Sequence, residues 1–178
     1  NVIGRFDLHF DGSAPPKLYE YNADTPTALF EAAVAQWHWF EELKIRGDQF
    51  NSIHERLIEA WKACGAGRET LYFACDPDSD EDRVTTEYLR DTATQAGRAT
   101  DFIALGDIGL DKGRLVDLQN RRIEALFKLY PWEWLLADEF GKLIEGDAAL
   151  FFEPAWKMVL SNKGILAILW ELFPGHPN

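Results

Sequence analysis

The sequence has few cysteines and no long apolar run, and both shortages exclude classes of protein. Only Cys64 and Cys75 occur among 178 residues, and they form neither a CxxC pair nor a spacing typical of metal sites. We expect both thiols to be buried and reduced. No apolar run is long enough to span a bilayer, and no signal-peptide or lipidation motif is found. These absences predict a cytoplasmic protein with no membrane partner.

Basic residues are also scarce. The chain has 18 Lys and Arg against 30 Asp and Glu, which gives a formal net charge of −12 at pH 7. Nucleic-acid binding needs clustered positive charge to neutralise phosphates, so we expect no nucleic-acid partner. The charge is compatible with a cationic amine ligand or a divalent cation, and equally with plain solubility. The phosphate loop GxxxxGK[ST] is absent, as are internal repeats.

Two alternating segments near the N terminus predict a β-hairpin. In Val2–Phe10 the apolar residues at positions 6, 8 and 10 alternate with polar ones, which is the pattern of a strand with two unlike faces. Turn-forming residues follow at 11–16, and Lys17–Asn22 is the second predicted strand. We expect the strands to pair with Phe10 opposite Lys17.

The register of this hairpin decides whether it carries a site. With the expected pairing, Asp7 lies opposite Glu20, and Arg5 lies opposite Asn22. Directly opposed side chains share a face of the sheet. Two carboxylates, an amide oxygen and a guanidinium would then form an oxygen-ligand cation site beside a phosphate-binding arginine. A slip of one residue would separate them, and an exposed hairpin with a charged outer face is the alternative interpretation.

The rest of the chain predicts an α/β fold, with a mostly parallel sheet and helices on both faces. A buried strand at Thr70–Cys75, a helix ending near Gln95 and a strand at Thr100–Leu105 form a βαβ unit. The acidic loop at 76–82 lies at the carboxyl end of the first of these strands, where open α/β sheets bind ligands. The other predicted elements are a helix capped by Thr25 and running to about Leu43, a helix at Gln49–Cys64, strands at Gly113–Leu118 and Arg122–Leu129, a helix from Pro131 to about Leu143, and a short helix followed by Gly164–Leu172.

Three segments, residues 5–39, 73–89 and 153–178, together resemble the glutathionylspermidine synthase family of ATP-grasp ligases. The resemblance covers the whole chain but only the middle of a family member of usual length, without the amidase domain that some members carry. It implies a pre-ATP-grasp, Rossmann-like fold. Residues 1–178 would be the central portion of a larger ATP-grasp protein. The ATP-binding lobe is expected beyond residue 178, packed against this part, and the fragment alone is expected to be inactive.

The resemblance also implies an activity and a site. Family members are ATP-dependent, ADP-forming carbon–nitrogen ligases that join a glutathione carboxylate to a polyamine nitrogen through an acyl phosphate. Asp7, Glu20 and Asn22 match the family's Mg²⁺ ligands, and oxygen ligands are what Mg²⁺ prefers. Arg5 matches the arginine that steadies the transferring phosphoryl group. Mg²⁺ and ATP are expected only in the full-length enzyme.

Four further residues match substrate positions of the family. Thr25 and Thr27 lie where hydroxyl residues approach the peptide substrate, although helix capping by Thr25 and solvation of Thr27 are equally consistent with the sequence. Glu81 and Asp82 fall near the polyamine-binding acids. A solvated loop with acids at a helix N terminus is the competing interpretation.

Two other functions stay open from the sequence. The chain could be a non-catalytic module that binds a peptide or a polyamine, or a structural piece whose apolar C-terminal helix packs against other domains. Lys157 and Lys163, in the C-terminal segment, are interpreted as structural. His9 shares the predicted site face but matches no family ligand.

Overall fold

The computed structural model of the chain describes residues 2–64, 67, 69–138, 141 and 149–177. Within them the strands are β1 (Arg5–His9), β2 (Lys17–Asn22), β3 (Leu71–Cys75), β4 (Thr100–Ala104), β5 (Gly109–Asp111), β6 (Arg114–Val116), β7 (Ala125–Leu129) and β8 (Leu150–Phe152). The helices are α1 (Gln36–Glu42, directly preceded by a π-helical turn, Glu31–Ala35), α2 (Ile53–Ala63), α3 (Asp80–Gln95), α4 (Trp132–Ala137), α5 (Lys157–Ser161) and α6 (Gly164–Leu172).

Four parallel strands form the central sheet, in the order β4-β3-β7-β8. Every residue of β3 and of β7 is buried. β3 is apolar throughout and β7 is apolar except for Lys128, which is typical of parallel strands that are covered on both faces. The predicted α/β fold with a mostly parallel sheet and an N-terminal hairpin is therefore confirmed.

The two faces of this sheet have separate cores. On one face, Phe73 packs with residues of α2 and α3, and the Trp61 ring meets the Phe73 ring edge-on at 5.5 Å. Trp61 is fully buried, and its indole N–H is satisfied because it donates to the Thr92 hydroxyl at 3.0 Å. On the other face, Tyr72 and Ala74 pack against apolar residues contributed by β6 and its flanking loops. None of the helices in the described part of the chain is long and apolar enough to cross a membrane.

The helix that follows the hairpin begins later than predicted. The sequence predicts Thr25 as its cap, but the first helical residue is Leu29. Ala28 has a φ of 60°, in the left-handed region, so the chain cannot enter a right-handed helix before that point. Only the N-terminal half of this helix packs on the core, since Ala33 is buried while Trp37 is 39% exposed.

Other boundaries also differ. α2 begins at Ile53 rather than at position 49, since Phe50 has a φ of 51°. α4 ends at Ala137, and most of the remaining segment predicted to be helical lies outside the described residues. The strand predicted at 113–118 is the shorter β6, because Lys112 and Gly113 both have positive φ and form the two-residue turn that joins β5 to β6.

A buried carboxylate holds the loop after β6. Burial opposes the charge of Asp117, but hydrogen bonds from the backbone of Arg121, the Tyr72 hydroxyl, the Arg121 guanidinium and the backbone of Gln119 lower its pKa to about 2. The Tyr72 hydroxyl donates at 2.8 Å and the Arg121 Nε at 2.6 Å. Burial and the hydrogen bond to Asp117 raise the pKa of Tyr72 to about 12.

Asp117→Asn should lower the free energy of unfolding by about 2 kcal/mol at pH 7, since hydrogen bonds to a buried charged group are lost. The pKa of folded Asp117 lies below its ordinary value of 3.8, so this stabilisation is present above about pH 4 and is lost as the pH falls through 2. Urea unfolding at several pH values measures the difference. The exposed control Asp111→Asn should change little, and an Asp117→Asn effect that did not shrink in acid would contradict the carboxylate's role.

Candidate functional site

The hairpin pairs in the register on which the candidate site depends. β1 and β2 are antiparallel, with Asp7 opposite Glu20 and Arg5 opposite Asn22. The predicted partner of Lys17 is wrong, because the register shifts after Asp7 and His9 is opposite Lys17. The extra residue in β2 forms a β-bulge between the Asp7–Glu20 pair and the turn. The Arg5–Asn22 and Asp7–Glu20 pairs lie on the other side of this bulge and keep their predicted register.

The polar face of the hairpin is less exposed than its apolar face. Arg5, Asp7, Glu20 and Asn22 are all partly buried. On the other face, Phe6 stacks on Tyr21 at 4.1 Å and is still 57% exposed. The four polar side chains are therefore only partly exposed to solvent, and their role as a site stays a prediction.

Arg5 joins two of the predicted site positions. Its Nε and Nη2 donate to the carboxylate of Asp7, at 3.0 and 3.4 Å, and its Nη1 donates to the Thr27 hydroxyl at 3.1 Å. Thr27 therefore lies beside the candidate site. Thr25 is partly buried in the same segment but does not cap a helix.

Lys163 is a site neighbour that the sequence interpretation missed. It lies at the start of α6, and its Nζ is 3.1 Å from the Glu20 carboxylate. Glu20 and Asp7 are thus each paired with a cation, as expected of carboxylates that attract positive charge. No local pattern indicates this contact, because it joins residues that are far apart in the sequence.

The chemistry of the donor set fits Mg²⁺ better than a metal held entirely by the protein. In the part of the chain that the structure describes, no three His, Cys, Asp or Glu side chains form a metal-holding group. Asp7, Glu20 and Asn22 supply two carboxylates and an amide oxygen instead. Mg²⁺ is commonly held by one or two carboxylates, with water and substrate phosphates completing the octahedron.

Glu81 and Asp82 lie in the first turn of α3. Ser79 caps this helix, and its hydroxyl accepts the backbone N–H of Asp82 at 3.3 Å. Burial raises the pKa of Asp82, and the charges of Glu81 and Asp76 add to the effect, against the Ser79 hydrogen bond. Negative charges in the first turn stabilise a helix, so both carboxylates also fit the competing interpretation as acids at a helix N terminus. Their amine-binding role stays a prediction.

A cavity of about 620 Å³ opens at the carboxyl ends of β3, β4 and β7, where open α/β sheets bind ligands. Its charged lining groups are Lys128, whose ammonium is paired with Asp24, and four carboxylates. The carboxylates are those of Asp76, Asp78, Asp107 and Asp138, and the apolar lining includes Leu105, Ile108, Leu115, Leu126, Leu135 and Phe151. An apolar body with an acidic rim suits a cationic ligand with an aliphatic stem.

Only part of this cavity was predicted from the sequence. The acidic loop was expected at a strand end, and Asp76 and Asp78 do line the cavity, whereas Glu81 and Asp82 are not among its lining residues. Asp107 and Asp138 were missed. The position of Asp107 just after β4 was the one signal that could have placed it at the cavity. Asp138 follows α4, and its carboxylate accepts a hydrogen bond from the Tyr130 hydroxyl at 3.1 Å.

Known proteins match the chain along its whole length. The model of the family described as "Glutathionylspermidine synthase preATP-grasp" matches residues 1–178. A Haemophilus influenzae protein named "Putative acid–amine ligase" is 46% identical, over 99% of this chain and 47% of that protein. The trypanothione synthetase of Crithidia fasciculata is 29% identical, over 99% of this chain and 31% of its own length. The bifunctional glutathionylspermidine synthetase/amidase of Escherichia coli is 29% identical, over 98% of this chain and 32% of its own length.

One solved structure shows the same fold. It is the apo form of a glutathione synthetase-like effector from Globodera pallida, with a TM-score of 0.59 and 13% identity, over 95% of this chain and 47% of that protein. At this identity the likeness extends to the fold alone. The chain spans between about a third and a half of the length of these relatives.

Proposed function

The chain belongs to the glutathionylspermidine synthase pre-ATP-grasp family, and from this premise we propose that it is the magnesium- and substrate-contacting part of an ATP-dependent carbon–nitrogen ligase. The reaction would transfer the terminal phosphoryl group of ATP to a glutathione-like carboxylate and release ADP. A polyamine-like amine would then displace inorganic phosphate from the acyl phosphate to form the amide. The observation that carries the proposal is the pairing of Asp7 with Glu20 beside Arg5 on one partly buried face. The relatives' names, a synthetase or a ligase in each case, agree with this reaction class.

Asp7, Glu20 and Asn22 are the proposed Mg²⁺ ligands. Opposed residues in an antiparallel pair have Cβ atoms about 5 Å apart, a separation at which two carboxylates can reach one cation. Bound Mg²⁺ would neutralise phosphate charge. Lys163, which forms the ion pair with Glu20, is exposed. Exposed ion pairs contribute little free energy, so a divalent cation can displace this lysine at little cost.

Arg5 is the proposed phosphoryl-stabilising residue. Its contacts with Asp7 and Thr27 hold the guanidinium beside the candidate ligands, where its charge would offset the negative charge that develops during acyl transfer. A guanidinium has five N–H donors, so the same group can hold its protein partners and also donate to a phosphoryl oxygen. Thr25 and Thr27 are proposed to contact the peptide substrate.

The acidic cavity at the strand ends is the proposed amine site. Asp76, Asp78, Asp107 and Asp138 would attract ammonium groups, and the apolar lining would take the methylene stem between them. Glu81 and Asp82 follow Asp76 and Asp78 in the chain and lie in the first turn of α3. We propose that they bind the amine at the entrance of the cavity.

The ATP-binding lobe is proposed to lie in the rest of the protein, with these 178 residues inactive alone. Exposed apolar side chains on the hairpin and on α6 offer it a surface. A groove of about 530 Å³ runs between Leu18 and the apolar side of α6, lined by Leu166, Leu169, Trp170 and Phe173. We propose that the remainder of the same polypeptide covers this groove, in a cytoplasmic enzyme.

The proposed reaction is tested by ADP release from the full-length protein. An amine and a thiol peptide together should stimulate release, and Arg5→Ala should lower kcat by about a hundredfold or more, since a charge-stabilising donor is removed. Arg5→Lys keeps the charge and should recover part of the loss. The exposed control Arg56→Ala on α2 should behave like wild type.

Unchanged turnover in Arg5→Ala would remove the assigned role. If ADP release never depends on amine while calorimetry detects spermidine binding, the chain is a binding module rather than part of a ligase. Calorimetry with and without Mg²⁺ completes this comparison.

Asp7→Asn and Glu20→Gln should each raise the Mg²⁺ concentration needed for half-maximal turnover by at least about tenfold, because each removes a charged oxygen ligand. Titration with Mg²⁺ at saturating substrates measures this. Glu59→Gln, an exposed change on α2, is the control. A fall in kcat with the same Mg²⁺ dependence would show that these carboxylates orient Arg5 and do not bind the metal.

Asp107→Asn should raise KM for a polyamine about tenfold, the worth of one charged contact, with little change in KM for the peptide or ATP. Asp111→Asn, four residues further along and exposed, is the matched control. Initial rates with one substrate varied at a time separate the constants. An equal rise in all three KM values would count against this cavity as the amine site.

A further inference from the structure

Four buried charged residues lie at the root of the hairpin. Asp24 and Lys128 are 2% and 1% exposed, and Glu153 and Lys157 are fully buried. Burying charge is costly unless every group is paired and hydrogen-bonded. Their contacts therefore show what these residues hold in place.

The first pair holds the end of β2. The Lys128 ammonium donates to Asp24 Oδ1 at 2.9 Å and to the carbonyl of Tyr130 at 2.8 Å. The other carboxylate oxygen of Asp24 accepts the backbone N–H of Trp132 at 2.7 Å. The ammonium also lies 4.3 Å from the centre of the Trp132 ring. Ser161 accepts the backbone N–H groups of Ala23 and Asp24, at 3.0 and 2.9 Å.

The second pair holds the entry to β1. Glu153 Oε1 accepts the backbone N–H groups of Val2 and Ile3, at 2.7 and 2.8 Å. Its other oxygen accepts the Lys157 ammonium at 2.8 Å, and Lys157 also donates to the Ile3 carbonyl. Glu153 and Lys157 thus hold the segment that enters β1, as Lys128 and Ser161 hold the segment that leaves β2.

Trp132 joins the two pairs into one assembly. Its backbone N–H donates to Asp24, and its indole N–H donates to the carbonyl of Glu153 at 3.0 Å. Ile3 precedes Arg5 by two residues, and Asp24 follows Asn22 by two residues. Arg5 pairs with Asn22. The assembly therefore holds both strands at the same end of the hairpin, two residues from the candidate site on each strand.

Stability alone gives a weak reason for these buried charges. Replacing a buried ion pair with apolar residues of similar volume is often neutral or stabilising. An ion pair with directional hydrogen bonds, however, fixes where a segment lies. Lys128 both holds Asp24 and lines the acidic cavity, so it joins the hairpin to the strand ends.

We propose that Asp24 and Lys128 are positioning residues, which hold the hairpin's metal-binding face in place relative to the cavity at the strand ends. This inference rests on the proposed ligase function. The ion pair acts on the metal-binding face through Asn22 and Arg5, and Lys128 also lines the cavity proposed to hold the amine.

The test uses the full-length protein and the double variant Asp24→Asn/Lys128→Met. Each single change leaves a buried charge unpaired and should destabilise the fold, whereas the double variant is neutral and keeps an acceptor for the Trp132 N–H. We expect its Tm to return close to wild type. The Mg²⁺ concentration for half-maximal turnover should still rise by about tenfold, as when groups that orient metal ligands are removed. A wild-type Mg²⁺ dependence in the folded double variant would overturn the proposal.

Amide hydrogen exchange gives a readout that does not depend on activity. Peptides from β1 and β2 should exchange at least about tenfold faster in the double variant, while those from β3 and β7 keep their protection. Equal loosening of the central sheet, or an unchanged hairpin, would contradict a positioning role. Asp117→Asn, which disturbs a buried network away from the hairpin, should lower Tm without changing the Mg²⁺ dependence. If wild type lacks Mg²⁺-dependent ADP release, the ligase proposal fails, and hydrogen exchange still decides whether the ion pair positions the hairpin.

Discussion

The candidate site depends on one ladder register, that of β1 against β2. Because side chains alternate between the faces of a strand, a shift of one residue would move Asp7 and Glu20 to opposite faces. Local pairing fixes where these groups lie relative to each other. It does not fix where an isolated two-stranded hairpin lies, and such a hairpin is marginally stable at best in water. The buried contacts of Asp24 and Glu153 supply that second constraint.

The sequence predicted the features that local patterns determine. A continuous apolar run located β3, alternation located the two strands of the hairpin, and an assumed register gave the pairing of Asp7 with Glu20. The bulge in β2 and the left-handed Ala28 were missed, because neither has an obligatory residue type. β8 was missed too: its three residues are too few for a period to be recognised.

Long-range polar contacts were beyond the reach of sequence reasoning. Lys128 and Asp24 are 104 residues apart, and Glu153 and Val2 are 151 apart. Lys157 was interpreted as structural, and it is buried, but the sequence indicated no partner for it. Lys128 lies in an otherwise apolar strand, and nothing in the local sequence pointed to its partner. A resemblance to a family could assign roles to Asp7 and Arg5, but only the folded chain shows what keeps those residues together.

The charges at and beside the hairpin fall into two groups, and the division suits the proposed ligase. Asp24, Lys128, Glu153 and Lys157 are buried and paired, and breaking a buried ion pair by removing one partner costs about 3–5 kcal/mol. The pairs made by Glu20 with Lys163 and by Asp7 with Arg5 are partly exposed, and pairs of that kind contribute only about 0–1 kcal/mol. In the proposed ligase, a metal or a phosphoryl group would therefore replace the exposed partners without disturbing the buried ones. The buried ion pairs would stay fixed, while the charges of the proposed site would stay exchangeable.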